Sequence, residues 1–481
     1  MYDVSVDGKP LDVYRVWINA RNAYNRYRDD ENRAAMAYFD FSGTVRVEIT
    51  VKFADVNSYV LYPTRHAIAS ERAGNRITFL LDGPPKQLVL KVNGDWRHCL
   101  HLFANPLETD APDPRSQGVR YFGPGVHLPA DDGVPGLIRL RSNETIYIAG
   151  GAVVRGFIHK LDDEPVKNAV IRGHGILNSR VPEDPWGNRY RDMISLWRAS
   201  DTTVRDVILL NHWDNQQIQF AMRIYWCDNI TVDNVKYIGS NKCSDGANIG
   251  SCENVRVTRS FFRGFDDILC IKGFADTPGI DRGGFDDKQG GTIPMSGGAN
   301  GVRSDKITRN VWYEDCIAVC DKAGWNGNAL NMAWQAFTPL ITKCGYRRID
   351  VIRAGGHTLR IQPEWVSNPK TVYDNILVDD VRVEEPPATR HFRIEAKEQA
   401  GRGDVQGKAP TAIRNVTIRA FHAFDRSARR RSRASDIEGN VSNVTFENLI
   451  INGRRIENRQ QAVDPAVGGF RIDPGVSVEF K

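Results

Sequence analysis

The feature that most constrains the fold is a short strand, usually opened by asparagine, that returns through most of the chain. It reads Asn168-Ala-Val-Ile-Arg, Asn229-Ile-Thr-Val-Asp-Asn-Val, Asn254-Val-Arg-Val-Thr-Arg-Ser and Asn310-Val-Trp-Tyr-Glu-Asp-Cys. It returns as Asn375-Ile-Leu-Val-Asp-Asp-Val, Asn415-Val-Thr-Ile and Asn443-Val-Thr-Phe-Glu-Asn-Leu, and Thr203-Val-Arg-Asp-Val keeps the strand without the asparagine. From Asn229 to Asn254 is 25 residues and from Asn415 to Asn443 is 28. A repeat of this size is one coil of a parallel β-helix. Each coil leaves a backbone edge open and pairs with the next about 4.8 Å away. A doubly wound α/β fold would need amphipathic helical windows between the strands, and the sequence has none of adequate length. The leading asparagines are expected to stack as a ladder at one bend. The longer gap from Asn254 to Asn310 holds a glycine-rich insertion, Gly273–Gly301, whose length suits a wall above a cleft.

The first part of the chain reads differently. Val45, Val47, Ile49, Val51 and Phe53 alternate with Arg46, Glu48, Thr50 and Lys52, the period-two pattern of a strand with one buried face. Asp7-Gly8 and Asn93-Gly94 are hairpin signals. Residues 1–105 are therefore expected to form a small antiparallel β-sandwich and residues 106–118 a proline-rich linker. Residues 119–481 then form a right-handed parallel β-helix, which makes the chain all-β.

Composition adds few constraints. The net charge of +5 permits an acidic polymer as partner without arguing for one. The basic run Arg426–Arg433 reads as a solvated loop rather than a nucleic-acid patch. Eight cysteines show no metal-ligand spacing and read as buried apolar residues. No window approaches the ~20 apolar residues that cross a bilayer. No signal peptide is visible at the N-terminus, so the chain is either a secreted or periplasmic mature form or a cytoplasmic protein.

Two segments carry the chemistry: Asn241-Lys-Cys-Ser-Asp245-Gly246 and Gly264-Phe-Asp266-Asp267-Ile-Leu-Cys-Ile-Lys272-Gly273. Asp245 and Asp266 are 21 residues apart, close to one coil, which places them on neighbouring rungs. Asp266 and Asp267 share one cleft only if they sit at a bend, because successive strand residues point to opposite faces. Inverting glycoside hydrolysis needs this kind of grouping, with one acid for the leaving oxygen and one carboxylate for the water. Crowding three acids raises at least one pKa and keeps a proton in place. Asp286-Asp287 in the insertion has the same form without the setting.

In these segments the chain resembles the polygalacturonase-type glycoside hydrolases (family 28) and the dextranase and isopullulanase group (family 49). The resemblance rests on Cys243-Ser244-Asp245-Gly246, Ser251-Cys252-Glu253-Asn254-Val255 and Asp266-Asp267-Ile-Leu-Cys-Ile271-Lys272-Gly273, in the family's order. It implies Asp266 as general acid, with Asp245 and Asp267 activating water with inversion of configuration. It implies no metal or organic cofactor. The family 28 Gly-His-Gly motif is absent, and Gly324-Trp-Asn326-Gly327-Asn328-Ala-Leu-Asn331 stands in the comparable place. Arg360-Ile361-Gln362 replaces the family's Arg-Ile-Lys, removing a cation from an acid-sugar clamp. With the N-terminal sandwich, a feature of family 49, this favours a neutral α-glycan such as dextran or pullulan over pectin.

Further candidates for binding sugar are Trp213, Asp214 and Gln217, in a polar cluster about one coil before Asp245. Lys272, Asn328, His357, Arg360 and Gln362 follow, His357 standing where it replaces the missing histidine or serves as a buried imidazole. Trp226, Trp312, Trp325, Trp334 and Trp365 are possible stacking platforms. Two other readings fit the same segments. One is a polysaccharide lyase holding Ca²⁺ on the three aspartates with Arg263 or Lys272 as base. The other is a non-catalytic glycan-binding β-helix.

Overall fold

The computed structural model describes residues 1–18, 33–159, 164–181, 192–211, 220–241, 243–274, 306–321, 327–336, 338–365, 371–385, 390–396, 411–423 and 435–481. The side chains of residues 334, 335, 364 and 365 lie outside that description.

The alternating strands at the start form two five-stranded sheets. Tyr2–Val6 turns at Asp7 (φ 48°) and Gly8 (φ 76°) into Lys9–Pro10, and Asn93 (φ 52°) and Gly94 (φ 74°) make the same kind of turn. Thr44–Val51 and Arg76–Asp82 pack Val45, Val47, Ile49, Ile77, Phe79 and Leu81 against Leu88, Leu90, Leu100 and Leu102 of the second sheet. The first sheet is antiparallel throughout. In the second, Arg33–Phe41 and Asp95–Pro106 run parallel, because the chain crosses to the first sheet and back between them.

From Val119 onward the strands stack in parallel, coil on coil, as a right-handed parallel β-helix. One inward column can be followed through ten successive partners: Ile171, Val204, Val232, Val257, Tyr313, Tyr346, Val378, Ile418, Phe446 and Phe480. Most of its members are fully buried, and at about 25 cal/mol per Å² of apolar surface such columns are the main stabilising term. Phe470, Phe480 and the short helix Arg459–Val463 lie at the C-terminal end.

The asparagine ladder is real and its cause is local. Asn143, Asn168, Asn229, Asn254, Asn310, Asn375, Asn415 and Asn443 all have φ between 52° and 60°. Asparagine tolerates this left-handed conformation better than other side chains. The side chains link coils: Asn254 Nδ2 donates to Asn229 Oδ1 (3.1 Å), Asn310 Nδ2 to Asn254 Oδ1 (2.8 Å) and Asn443 Nδ2 to Asn415 Oδ1 (3.1 Å). Where asparagine is missing, Asp201 takes its place and accepts from Asn229 (2.9 Å).

The sandwich packs on the helix through its second sheet. Val16, Met36, Tyr62, Val89, Trp96, Cys99 and Phe103 meet outward residues Ile176, Ile208, Leu210, Ile238, Phe261, Ile317, Val319 and Ile352 of successive coils. All eight cysteines are free thiols, and seven of them are buried. Among the described residues no helix is long and apolar enough to cross a membrane.

Candidate active site

One sheet of the helix carries the carboxylates. Its strands Ala247–Gly250, Leu269–Lys272, Leu330–Gln335, His357–Trp365 and Arg390–Ala396 stack in that order. Inward positions are apolar, as in Ile249, Ile271, Met332, Ile361 and Ile394. Outward positions form two polar columns. The first runs Arg223, Asn248, Cys270, Asn331, Arg360, Arg393 and Asp436. The second includes Tyr225, Gly250 and Lys272 and, beyond them, Ala333 with Gln362.

A third column stands where each coil enters this sheet. Ala247, Leu269, Leu330 and Leu359 are in register, and two residues ahead of them lie Asp245, Asp267, Asn328 and His357. Two glycines permit the close approach. A Cβ on Gly246 would stand 2.2 Å from Ile268 O, and one on Gly264 would stand 2.0 Å from Ser244 O. Gly264 also leads into a bend at Phe265 and Asp266, which releases Asp266 from the strand alternation. Phe265 N donates to Ser244 Oγ (2.8 Å) and Cys320 Sγ to Asp266 O (3.2 Å), so neighbouring coils hold the bend.

Asp245 and Asp267 are buried, and Asp266 is half-buried. Lys272 Nζ lies 3.8 Å from Asp245 Oδ2 and 3.9 Å from Asp267 Oδ2, bridging the pair. Asp267 is held by three donors: Asn328 N (3.2 Å), Asn328 Nδ2 (2.6 Å) and Asn331 Nδ2 (2.9 Å). Asp245 Oδ2 accepts from Asn248 Nδ2 (3.0 Å). Burial, then Asp266 and Asp267, raise the Asp245 pKa well above the carboxylate range against the pull of Lys272. Crowding was expected to raise at least one of the three acids, and at Asp245 burial is the largest single cause of the rise.

Asn328 and His357 act behind Asp267. Asn328 Oδ1 accepts from His357 N (3.2 Å) and Nδ1 (2.8 Å), which fixes the amide with its nitrogen toward the carboxylate. His357 is fully buried, and burial and then Arg360 hold its pKa down at about 2, so the ring is neutral with the proton on Nδ1. Both residues hold the Asp267 carboxylate in place, and His357 is the buried imidazole that was one of its two readings. Gln362 is tied on both sides: its Oε1 accepts from Arg360 Nε (2.8 Å) and its Nε2 donates to Glu395 Oε2 (2.9 Å), which also accepts from Arg393 Nε (2.8 Å).

Asn248, Asn331, Arg393 and Glu395 join the site although the sequence reading did not single them out as site residues; Asn248, Asn331 and Arg393 stand outward in register with Cys270 and Arg360, and Glu395 lies two residues beyond Arg393 on the same face. Trp213, Asp214, Gln217, Trp325, Asp286 and nearly all of Gly273–Gly301 lie outside the described residues, as do the side chains of Trp334 and Trp365. Trp226 Nε1 donates to Phe274 O (3.1 Å), and Trp312 packs under the Arg347 guanidinium (3.7 Å). Arg263 points away from the carboxylates into the sandwich interface, which removes it as a lyase base. Asp245, Asp267 and Cys270 bring ligand atoms within 4.8 Å of one another. A hard cation wants six or more oxygens, whereas this group offers a thiol and already faces the Lys272 ammonium. The residues do not fit Ca²⁺.

No protein-family model matches the sequence, and no curated protein does at significant similarity. Among solved structures the chain is similar to Dex49A from Penicillium minioluteum, at 14% identity and a TM-score of 0.62, covering 99% of this chain and 93% of that one. It also matches the tailspike protein of Escherichia coli bacteriophage HK620 in complex with pentasaccharide (11%, TM-score 0.45, 74% and 56% covered). A third match is a family 28 exopolygalacturonase from Yersinia enterocolitica (9%, TM-score 0.38, 91% and 95% covered). The likeness to Dex49A extends over the sandwich and the helix together and shows the fold.

Proposed function

We propose that the protein is an inverting glycoside hydrolase acting on a neutral α-glycan of dextran or pullulan type. The observation that carries this is the grouping of Asp245, Asp266 and Asp267 on adjacent coils, with Lys272 between the first and third. In this reading Asp266, released by the bend, protonates the leaving oxygen. Asp267, fixed by Asn328 and Asn331, activates the water, and Asp245 helps to hold it. The neutral substrate is supported by Gln362, whose hydrogen bonds go to Arg360 and to the protein's own carboxylate Glu395. The fold likeness to Dex49A, a dextranase of family 49, agrees with that choice. The chain is incubated with dextran, pullulan, polygalacturonate and arabinan, and product size and anomeric configuration are read together. Release of inverted products from a neutral polymer is expected. Activity confined to uronates would overturn the substrate, and early retention the mechanism.

The raised pKa of Asp245 favours a second assignment, in which Asp245 is the proton donor. Substrates with good leaving groups separate the two, because they need no acid. Such substrates rescue Asp266→Asn in the first assignment and Asp245→Asn in the second.

A further inference from the structure

Arg263 stands in an outward column of the sheet that faces the sandwich, where its neighbours are Leu210, Ile238 and Val319. An apolar residue would match that surface, yet this position holds a fully buried guanidinium. All five of its N–H donors have acceptors. Two come from the helix: Nε and one Nη2 hydrogen bind Asp321 Oδ2 (2.8 Å) and Oδ1 (3.1 Å). Three come from the sandwich strand Asp95–Pro106. Nη1 reaches Cys99 Sγ (2.8 Å) and His101 Nε2 (3.0 Å), and Nη2 reaches Trp96 O (3.3 Å). The ring of His101 suits this task. Its Nδ1 donates to Ala35 O (3.0 Å), and burial and then Arg263 lower its pKa to about 3, so Nε2 is a bare acceptor.

The same few residues continue into the carboxylate bend. Gly264 follows Arg263, and its carbonyl accepts from Asp321 N (2.9 Å). Asp321 thus holds Arg263 by its side chain and Gly264 by its backbone. Cys320, one residue earlier, donates to Asp266 O. The path from the sandwich to the half-buried Asp266 therefore runs through Arg263, Asp321 and one turn of backbone, all buried.

We propose that Arg263 is a positioning residue for the carboxylate bend and that the sandwich, through Cys99, His101 and Trp96, completes its seat. The N-terminal sandwich is then a working part of the active site rather than an appended module. The inference rests on the hydrolase reading for its kinetic consequence, but the coupling itself can be read without substrate.

Arg263→Met, Arg263→Lys and His101→Phe are made in the full chain and kept for assay where circular dichroism shows the native β signal. On the neutral glycan, His101→Phe and Arg263→Met are expected to lower kcat by about tenfold or more with KM within about twofold, since small misplacements of reacting groups are costly. Arg263→Lys, which keeps the charge without the planar fork, should recover part of the loss. A purely structural role would leave kcat intact in the molecules that remain folded. Hydrogen exchange supplies the second readout. Amides of residues 264–268 should lose protection in His101→Phe by about tenfold, while the distant strand Val441–Glu447 stays unchanged. Wild-type kcat and unchanged exchange at 264–268 in folded variants would overturn the proposal. A protein that cleaves no glycan but shows the exchange effect would sink the hydrolase reading and leave the coupling standing.

Discussion

The two outward faces of the β-helix are built from the same coils and carry opposite chemistry. Beneath the sandwich the outward residues include Ile176, Ile208, Leu210, Ile238, Phe261 and Val319, and the face is largely apolar. On the carboxylate sheet they are Asn248, Lys272, Asn331, Arg360 and Gln362, cross-linked by side-chain hydrogen bonds, while Asn248 Oδ1 and Asn331 Oδ1 are buried without a hydrogen-bond partner among the described residues. Inward positions are alike in both sheets. The comparison teaches that in this fold the core fixes the coil and the outward columns decide what each face does. Two cations, Arg263 and Lys236, are set into the apolar face, and Arg263 is the one whose strand leads into the carboxylate bend.

The largest effects should follow from breaking the polar face. Asp266→Asn should lower kcat by at least ~10²-fold, the usual share of general acid catalysis. Asp245→Asn and Asp267→Asn should be as severe, with melting temperatures changed little. A folded, active Asp266→Asn enzyme would remove the site.

Next in size is the contrast between two buried cations under the sandwich. Arg263→Met removes the bidentate partner of buried Asp321 and leaves it the bond from Arg353 Nη1 (3.0 Å), and chemical denaturation should show a loss of about 3 kcal/mol, the lower end for a broken buried pair. Lys236 is also fully buried, and among the described residues its ammonium makes one hydrogen bond, to Asp206 O (3.1 Å). Burial lowers its pKa to about 7 against the attraction of Asp206, Asp40 and Asp233. Because the folded pKa lies below the unfolded one, the unfolded chain binds more protons between pH 7 and 10.5, and stability rises with pH across that window. Lys236→Met should therefore stabilise the protein, most at pH below about 7 and less as pH climbs toward 10.5. Thermal melts at pH 6 and 9 check the sign.

Asp350 sharpens the comparison in the opposite direction. Burial raises its pKa to about 7, outweighing Arg65 at 2.9 Å. Its contribution to stability is full below about pH 4 and is lost as pH rises through 7. Asp350→Asn should flatten that decline, and a melt series from pH 4 to 8 would show it.

The smallest effect lies on neither face. Asn254→Ala removes one rung of the ladder and puts alanine at φ 57°, a cost of about 1–2 kcal/mol from the backbone alone. Activity should be unchanged, since the ladder bend is separate from both the carboxylates and the sandwich.

The ladder and the coil were legible because asparagine at a left-handed bend is a local preference repeated at a fixed period. Asp245 and Asp267 were legible for the same reason, since 22 residues of chain close one coil between them. Register beyond the insertion was not. The gap from Asn254 to Asn310 hides that Cys270 stands opposite Asn331, so Arg393 and Glu395 could not be placed. Arg263 was read as a possible base because its acceptors Cys99 and His101 lie more than 160 residues earlier, and no local pattern announces a contact of that span.

The docking of the sandwich also has a consequence in time. Its strands precede the coils in the chain, so its apolar face is complete before Ile176, Ile208, Ile238 or Ile352 has left the ribosome. Each coil therefore emerges beside a surface that already selects its place. Until the later coils arrive, that surface is an exposed greasy patch of the kind that invites aggregation. A nascent chain halted near residue 170 should need a chaperone, and one halted beyond residue 360 should not.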